Sequence, residues 1–183
     1  MSLPNIITIA RILLVPLTVW FLVSEAYLLG FLAFLTAGVS DGVDGYIARQ
    51  YNLKTELGAY LDPLADKALL VSIYVTLGFQ RDLPAWLVIL VVSRDVLIVG
   101  AVILSLLMGK PLQMRPLFVS KVNTALQIAL AGAVLANLGL ELDWDFILAV
   151  GSPIVAGLTI ASGALYMREW LRHMANGSGE ERP

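Results

Sequence analysis

Residues 84–108 read PAWLVILVVSRDVLIVGAVILSLLM, and this stretch decides the fold. Arg94 and Asp95 are its only charged positions. A helix that crosses a bilayer needs about 20 predominantly apolar residues, and proline is well tolerated in a first turn. The stretch therefore reads as one transmembrane helix opened by Pro84. Similar apolar blocks recur, for instance at 12–23. Of the 183 residues, 58% are hydrophobic and 14% charged, with a mean hydropathy of +0.83. A soluble domain carries about 25% charged residues, so the surplus lies in spans rather than in a richer core.

Working outward, polar punctuation divides the chain into six expected helices at 4–24, 27–49, 57–79, 84–108, 116–139 and 146–173. Glu25 and the group Arg81, Asp82, Pro84 mark turns, as do the polar run 51–56 and the acidic group Glu141, Asp143, Asp145. The expected fold is all-α and integral to the membrane, with six transmembrane helices in one domain over residues 1–175. Residues 176–183, rich in Gly, Ser and Glu, read as a disordered tail. Met1 to Leu3 lack the basic stretch of a signal peptide, so the first apolar block is expected to stay as a permanent helix.

Charge sets the expected orientation. Arg49, Lys54, Lys110, Arg115, Arg168 and Arg172 cluster at one set of helix ends; the opposite set is acidic apart from Arg81. The positive-inside rule then places both termini in the cytoplasm. A formal net charge of −2 argues against a nucleic-acid partner. With no cysteine and one histidine, His173, any bound metal must be held by oxygen, which points to Mg²⁺, Mn²⁺ or Ca²⁺.

Acidic groups within spans are costly and are functional candidates by default. Asp41 and Asp44 fall near the cytoplasmic end of the second expected helix, and Asp62 and Asp66 near the start of the third. A short antiparallel connection brings the two pairs together. Four carboxylates so close do not all stay ionised without cations between them, so a site for one or two divalent ions is expected, two being favoured. Gly45, Ala48 and Gly58 share the acidic faces and permit close approach of a helix or a flat ligand. Arg49 supplies a cation for a carboxylate or a phosphate.

The pattern of Asp41, Asp44, Gly45, Ala48, Arg49, Gly58, Asp62 and Asp66, at this spacing, resembles the signature of the CDP-alcohol phosphotransferases at all eight positions. The opening run with Asn5, Thr8 and Arg11 looks like that family's first helix. Ser93-Arg94-Asp95 and the run from Ser120 to Gln127 resemble its cardiolipin synthase branch, which uses CDP-diacylglycerol. The resemblance implies a six-helix, dimeric membrane protein whose site opens to the cytoplasm. It implies that Asp41, Asp44 and Asp62 ligate Mg²⁺ or Mn²⁺ beside the CDP diphosphate. Asp66 would be the base for the acceptor hydroxyl and a further ligand. Gly45, Ala48, Arg49, Gly58, Asn5 and Thr8 would face the CDP-lipid.

The acceptor is read from the fifth helix. Phosphatidylglycerophosphate synthases resemble this chain but carry a second lysine where Asn123 stands here. A dianionic phosphate monoester calls for several cations. Ser120, Asn123, Thr124 and Gln127 instead form a mostly neutral polar stripe, suited to glycerol hydroxyls, with Lys121 and Arg94 for one phosphodiester charge. The expected acceptor is phosphatidylglycerol and the product cardiolipin, with phosphatidylglycerophosphate synthase as the alternative. The absence of a transit peptide and the short chain favour a bacterial plasma membrane.

Other readings compete. The aspartates also suit a structural ion-pair network, a small transporter's ion site or a membrane prenyltransferase; the last does not call for Gly45, Ala48, Arg49 or Gly58. The glycines also suit helix packing, Arg49 and Lys121 interfacial anchoring, and Asn5, Thr8 and Arg11 capping or anchoring of the first helix. Arg94 competes between facing the site and pairing with another helix.

Overall fold

In a computed structural model the backbone is described for residues 3–50, 56–108, 118–144 and 146–176. Within those ranges the side chains at 3–9, 43–50, 56–66, 106, 175 and 176 lie outside the description. The described residues form six α-helices: α1 (Leu3–Val23), α2 (Tyr27–Gln50), α3 (Glu56–Gln80), α4 (Ala85–Leu107), α5 (Phe118–Leu140) and α6 (Phe146–Asn176). Five of the six expected helices agree with these bounds to within two residues at each end. The sixth runs three residues further, to Asn176, and residues 177–183 lie outside the described part.

Helix α1 packs against α2 and α3, α5 against α2 and α6, and α4 against α6 and α3. The shared core follows helical periodicity. Leu70, Ile73, Tyr74 and Leu77 form one buried stripe of α3, and Leu130, Ala131, Val134 and Leu135 one of α5. The outside is apolar too: Trp20 is 68% exposed, Phe79 89%, Leu107 80% and Phe118 79%. Meanwhile Arg11, Arg94, Asp95, Asn123 and Gln127 are buried. Apolar surface on this scale with polar groups inside marks a membrane protein. Among the described residues α4, α5 and α6 are long and apolar enough to cross a membrane, while α1, α2 and α3 contribute shorter apolar stretches.

Hydroxyls within the helices satisfy themselves. Thr18, Thr36, Ser40, Thr76 and Ser105 each donate to the carbonyl four residues back at 2.6–2.8 Å, which suits an apolar surrounding.

The turns after α1, α3 and α5 share one device. Ala26 N–H donates to the Phe21 carbonyl at 2.8 Å and Glu25 N–H to that of Leu22 at 2.9 Å. Asp82 and Arg81 repeat this pattern on Leu77 and Gly78, and Leu142 reaches back to Asn137. These are Schellman-type ends, whose capping residue takes a positive φ. Here that residue is Glu25 (φ 58°), Arg81 (72°) or Glu141 (53°), where glycine is usual. Burial raises the Asp82 carboxyl above the ordinary carboxylate range; a long 3.4 Å bond from Tyr27 Oη works against the shift, and Glu25 adds to it.

Candidate active site

Arg11 comes from α1, the helix packed against both α2 and α3. It is 1% exposed, and its Nη1 lies 2.8 Å from Asp41 Oδ1. A guanidinium taken out of solvent is costly unless paired, and the pairing fixes Asp41 in the second half of α2. Asp41 itself remains 45% exposed. It faces a cavity of about 560 Å³, within the range of about 300–1,000 Å³ typical of small-molecule sites.

The cavity combines a few polar and charged groups with a mostly apolar lining. Its polar groups are Arg11, Asp41, Lys67, Asp95, Thr124 and Gln127. Its apolar walls come from Phe34, Leu35, Ala37 and Val39 of α2, Leu69 and Leu70 of α3, and Ile128 of α5. Gly38 also lines it, and a Cβ there meets nothing within 4 Å.

Charge on the α4 side is arranged as a chain. Lys67 Nζ lies 2.7 Å from Asp95 Oδ2, and Arg94 Nη1 lies 2.6 Å from Asp95 Oδ1. Arg94 Nη2 donates to Ser162 Oγ of α6 at 2.7 Å and also to Ser120 Oγ of α5. The Arg94 guanidinium sits 5.7 Å from the centre of the Tyr166 ring, within cation–π range. Adjacent positions on a helix diverge, yet the long arginine side chain returns to its neighbour's carboxylate.

A second network joins α5 to α6. Gln127 Nε2 donates to Thr159 Oγ1 at 3.2 Å, and Thr159 Oγ1 donates to Asn123 Oδ1 at 3.0 Å. The Gln127 backbone carbonyl accepts from Tyr74 Oη at 3.0 Å. The stripe expected on α5 is thus divided. Ser120, Asn123 and Gln127 bond towards α4 and α6, while Thr124 and Gln127 line the cavity.

Of the expected site residues, Asp41 and Thr124 line the cavity. Arg94 is 4% exposed and its bonds run to protein partners; Asn123 is fully buried. Lys121 is exposed. Asp44, Asp62 and Asp66 belong to α2 and α3 by backbone, but their side chains lie outside the described residues, as do those of Asn5, Thr8, Gly45, Ala48, Arg49 and Gly58. Among the described residues no group of three or more acidic, His or Cys side chains could hold a metal. The described member of the aspartate set does suit a hard cation. Asp41 is an oxygen donor with one oxygen on Arg11 and nearly half its surface open to the cavity.

Sequence reasoning passed over Lys67, and quoted Asp95 only within the Ser93-Arg94-Asp95 run, with no role of its own. The available signal was the general one, an ionisable residue within an apolar span; their mutual pairing is set by how α3 meets α4.

Residues 1–165 match the sequence profile of the CDP-alcohol phosphatidyltransferase family. A cardiolipin synthase (CMP-forming)/mitochondrial hydrolase fusion protein of Schizosaccharomyces pombe is 37% identical over 182 residues, covering 90% of this chain and 30% of that protein. The human cardiolipin synthase (CMP-forming) is 34% identical over 151 residues, covering 74% of this chain and 50% of the human one. The Bacillus subtilis CDP-diacylglycerol–glycerol-3-phosphate 3-phosphatidyltransferase is 38% identical over 158 residues, covering 77% and 80% respectively. The chain thus spans half or less of the length of the first two of these relatives. With a family profile matched over most of its length, the chain belongs to the CDP-alcohol phosphatidyltransferase family.

Proposed function

We propose that this protein transfers the phosphatidyl group of CDP-diacylglycerol to phosphatidylglycerol, in a metal-dependent reaction giving cardiolipin and CMP. The observation that carries the reading is a mostly apolar cavity of α2, α3 and α5 side chains into which Asp41, Lys67 and Asp95 bring charge. Its chemistry suits lipid substrates that join a phosphate-bearing head to acyl chains. Cardiolipin synthases among the relatives support the same product. The second reading, transfer to glycerol 3-phosphate, is favoured by the Bacillus relative. What speaks for the lipid acceptor is the neutral Asn123, where a second cation would suit a phosphate monoester.

Asp41, Asp44, Asp62 and Asp66 would hold Mg²⁺ or Mn²⁺, which when bound neutralises the charge developing on the departing phosphate. Arg11 keeps Asp41 oriented. Asp66 accepts the proton of the acceptor hydroxyl as that oxygen attacks the phosphorus bearing diacylglycerol. The bond from that phosphorus to the CMP oxygen breaks, and CMP leaves with the electron pair. Arg49, Gly45, Ala48, Gly58, Asn5 and Thr8 receive the CDP end, and Thr124 and Lys121 serve the acceptor side, with Arg94 and Asn123 behind them in bonds to neighbouring helices. The reading places residues 1–175 as one six-span domain with both termini and the site on the cytoplasmic face, in a homodimer of a bacterial plasma membrane; the basic helix ends support that orientation.

The test is an acceptor panel: purified protein and labelled CDP-diacylglycerol with phosphatidylglycerol, glycerol 3-phosphate, inositol phosphate or serine. Cardiolipin and CMP are expected with phosphatidylglycerol. Faster turnover of glycerol 3-phosphate would move the assignment to the second reading. No CMP with any acceptor and metal would favour a transporter.

A further inference from the structure

We infer that Lys67 is a phosphate-binding residue of this cavity, and that Asp95, held by Arg94, is the residue that positions it. The starting point is which groups have capacity left. Both carboxylate oxygens of Asp95 are engaged, Oδ1 by Arg94 and Oδ2 by Lys67, and its side chain is 8% exposed. Asp95 lines the cavity but is already bound on both sides. Arg94 is engaged by Asp95, Ser120 and Ser162, so its bonds to α5 and α6 fix the guanidinium that holds the carboxylate.

Lys67 is different. Its side chain is 40% exposed and lines the same cavity as Asp41. An ammonium has three donors, and the bond to Asp95 uses one. A lysine is otherwise a mobile point charge on a four-carbon stem; tethered at 2.7 Å to a buried carboxylate, it is held in one place before any ligand arrives. One carboxylate between two cations also leaves one positive charge over in the trio. At the exposed Lys67 end that surplus favours an anionic ligand.

The anion is a phosphate group of a substrate, carried either by the lipid acceptor or by the CDP-linked donor. Its identity rests on the phosphatidyl-transfer reading; the preorganised cation does not. If Asp95 acts only through Lys67, removing its charge affects the same substrate as removing Lys67, by a smaller factor.

The experiment uses the full chain and the variants Lys67→Met, Lys67→Arg and Asp95→Asn. KM and kcat are measured separately for CDP-diacylglycerol and for phosphatidylglycerol. Thermal stabilisation by inorganic pyrophosphate is measured in parallel, with EDTA present so that no metal mediates the effect. Lys67→Met is expected to raise KM for one of the two substrates by about tenfold or more, the scale of a charge-assisted hydrogen bond, with a smaller change in kcat. Whichever KM moves identifies the source of the phosphate. Lys67→Arg restores most of the loss, Asp95→Asn moves the same KM in the same direction, and the pyrophosphate shift disappears in Lys67→Met. Unchanged KM values and an unchanged shift in Lys67→Met would overturn the inference. So would a Lys67→Arg protein no better than Lys67→Met, with both KM values and the ligand-free melting point moved together, which describes a structural strut. If Lys67→Met does not fold, Lys67→Arg and Asp95→Asn decide by the same KM criterion. A wild-type protein without turnover whose pyrophosphate shift still requires Lys67 would leave this inference standing and remove the proposed function.

Discussion

Arg11 and Asp41 are thirty positions apart in the chain, and their 2.8 Å contact joins α1 to the second half of α2. Paired charges of this kind couple in a double-mutant cycle, typically by about 0.5–3 kcal/mol. Arg11→Met and Asp41→Asn are therefore expected to be non-additive in thermal unfolding in detergent, and simple additivity would deny the pair. Asp66 carries the proton-transfer role in the proposed reaction. Asp66→Asn is expected to lower kcat by about 10²–10⁴-fold, the usual contribution of a general base, while equilibrium binding of CDP-diacylglycerol changes little. A fully active Asp66→Asn enzyme would end that assignment. At this scale the family was legible, because the spacing of its acidic signature is written in the chain. The partners of Arg11, Lys67 and Arg94 were not, because each is chosen by which helices meet.

Helix ends and helix contacts make their own demands. Glu25, Arg81 and Glu141 occupy left-handed positions after α1, α3 and α5. That conformation costs a residue with a side chain about 1–2 kcal/mol, whereas glycine adopts it freely but loses more entropy on folding. Arg81→Gly is expected to raise stability by up to about 1 kcal/mol, read as a higher melting temperature; a lower one would contradict the turn geometry. Contacts between helices are stricter still. A Cβ on Gly139 would lie 2.9 Å from the Leu28 Cα and N, whereas one on Gly100 meets nothing within 4 Å. Gly139→Ala should cost about 1–3 kcal/mol through forced separation of α2 and α5, and Gly100→Ala should not destabilise. Equal effects would mean that the close approach is absent. The helices themselves were legible from block length and polar punctuation. The form of the turns was not, since none of these three ends carries the glycine that advertises it.

At the level of the whole molecule, apolar groups cover the outside while ion pairs, amides and hydroxyls gather inside. An aqueous protein arranged this way would aggregate; in a bilayer the arrangement concentrates its charged chemistry around one cavity. Composition already pointed to the membrane, but the joining of charged groups and apolar walls in one cavity emerges only when the helices line it together. The account depends most on carboxylates of α2 and α3 holding a divalent cation there. The direct measurement is Mn²⁺ binding to the purified protein, followed by electron paramagnetic resonance, for the wild type and for Asp41→Asn, Asp44→Asn and Asp62→Asn. Saturable binding to the wild type is expected, weakened about tenfold or more in each variant, since even supporting residues around a metal cost about 10–100-fold when lost. Wild-type protein that binds no Mn²⁺, or variants that bind it as well as the wild type, would contradict it.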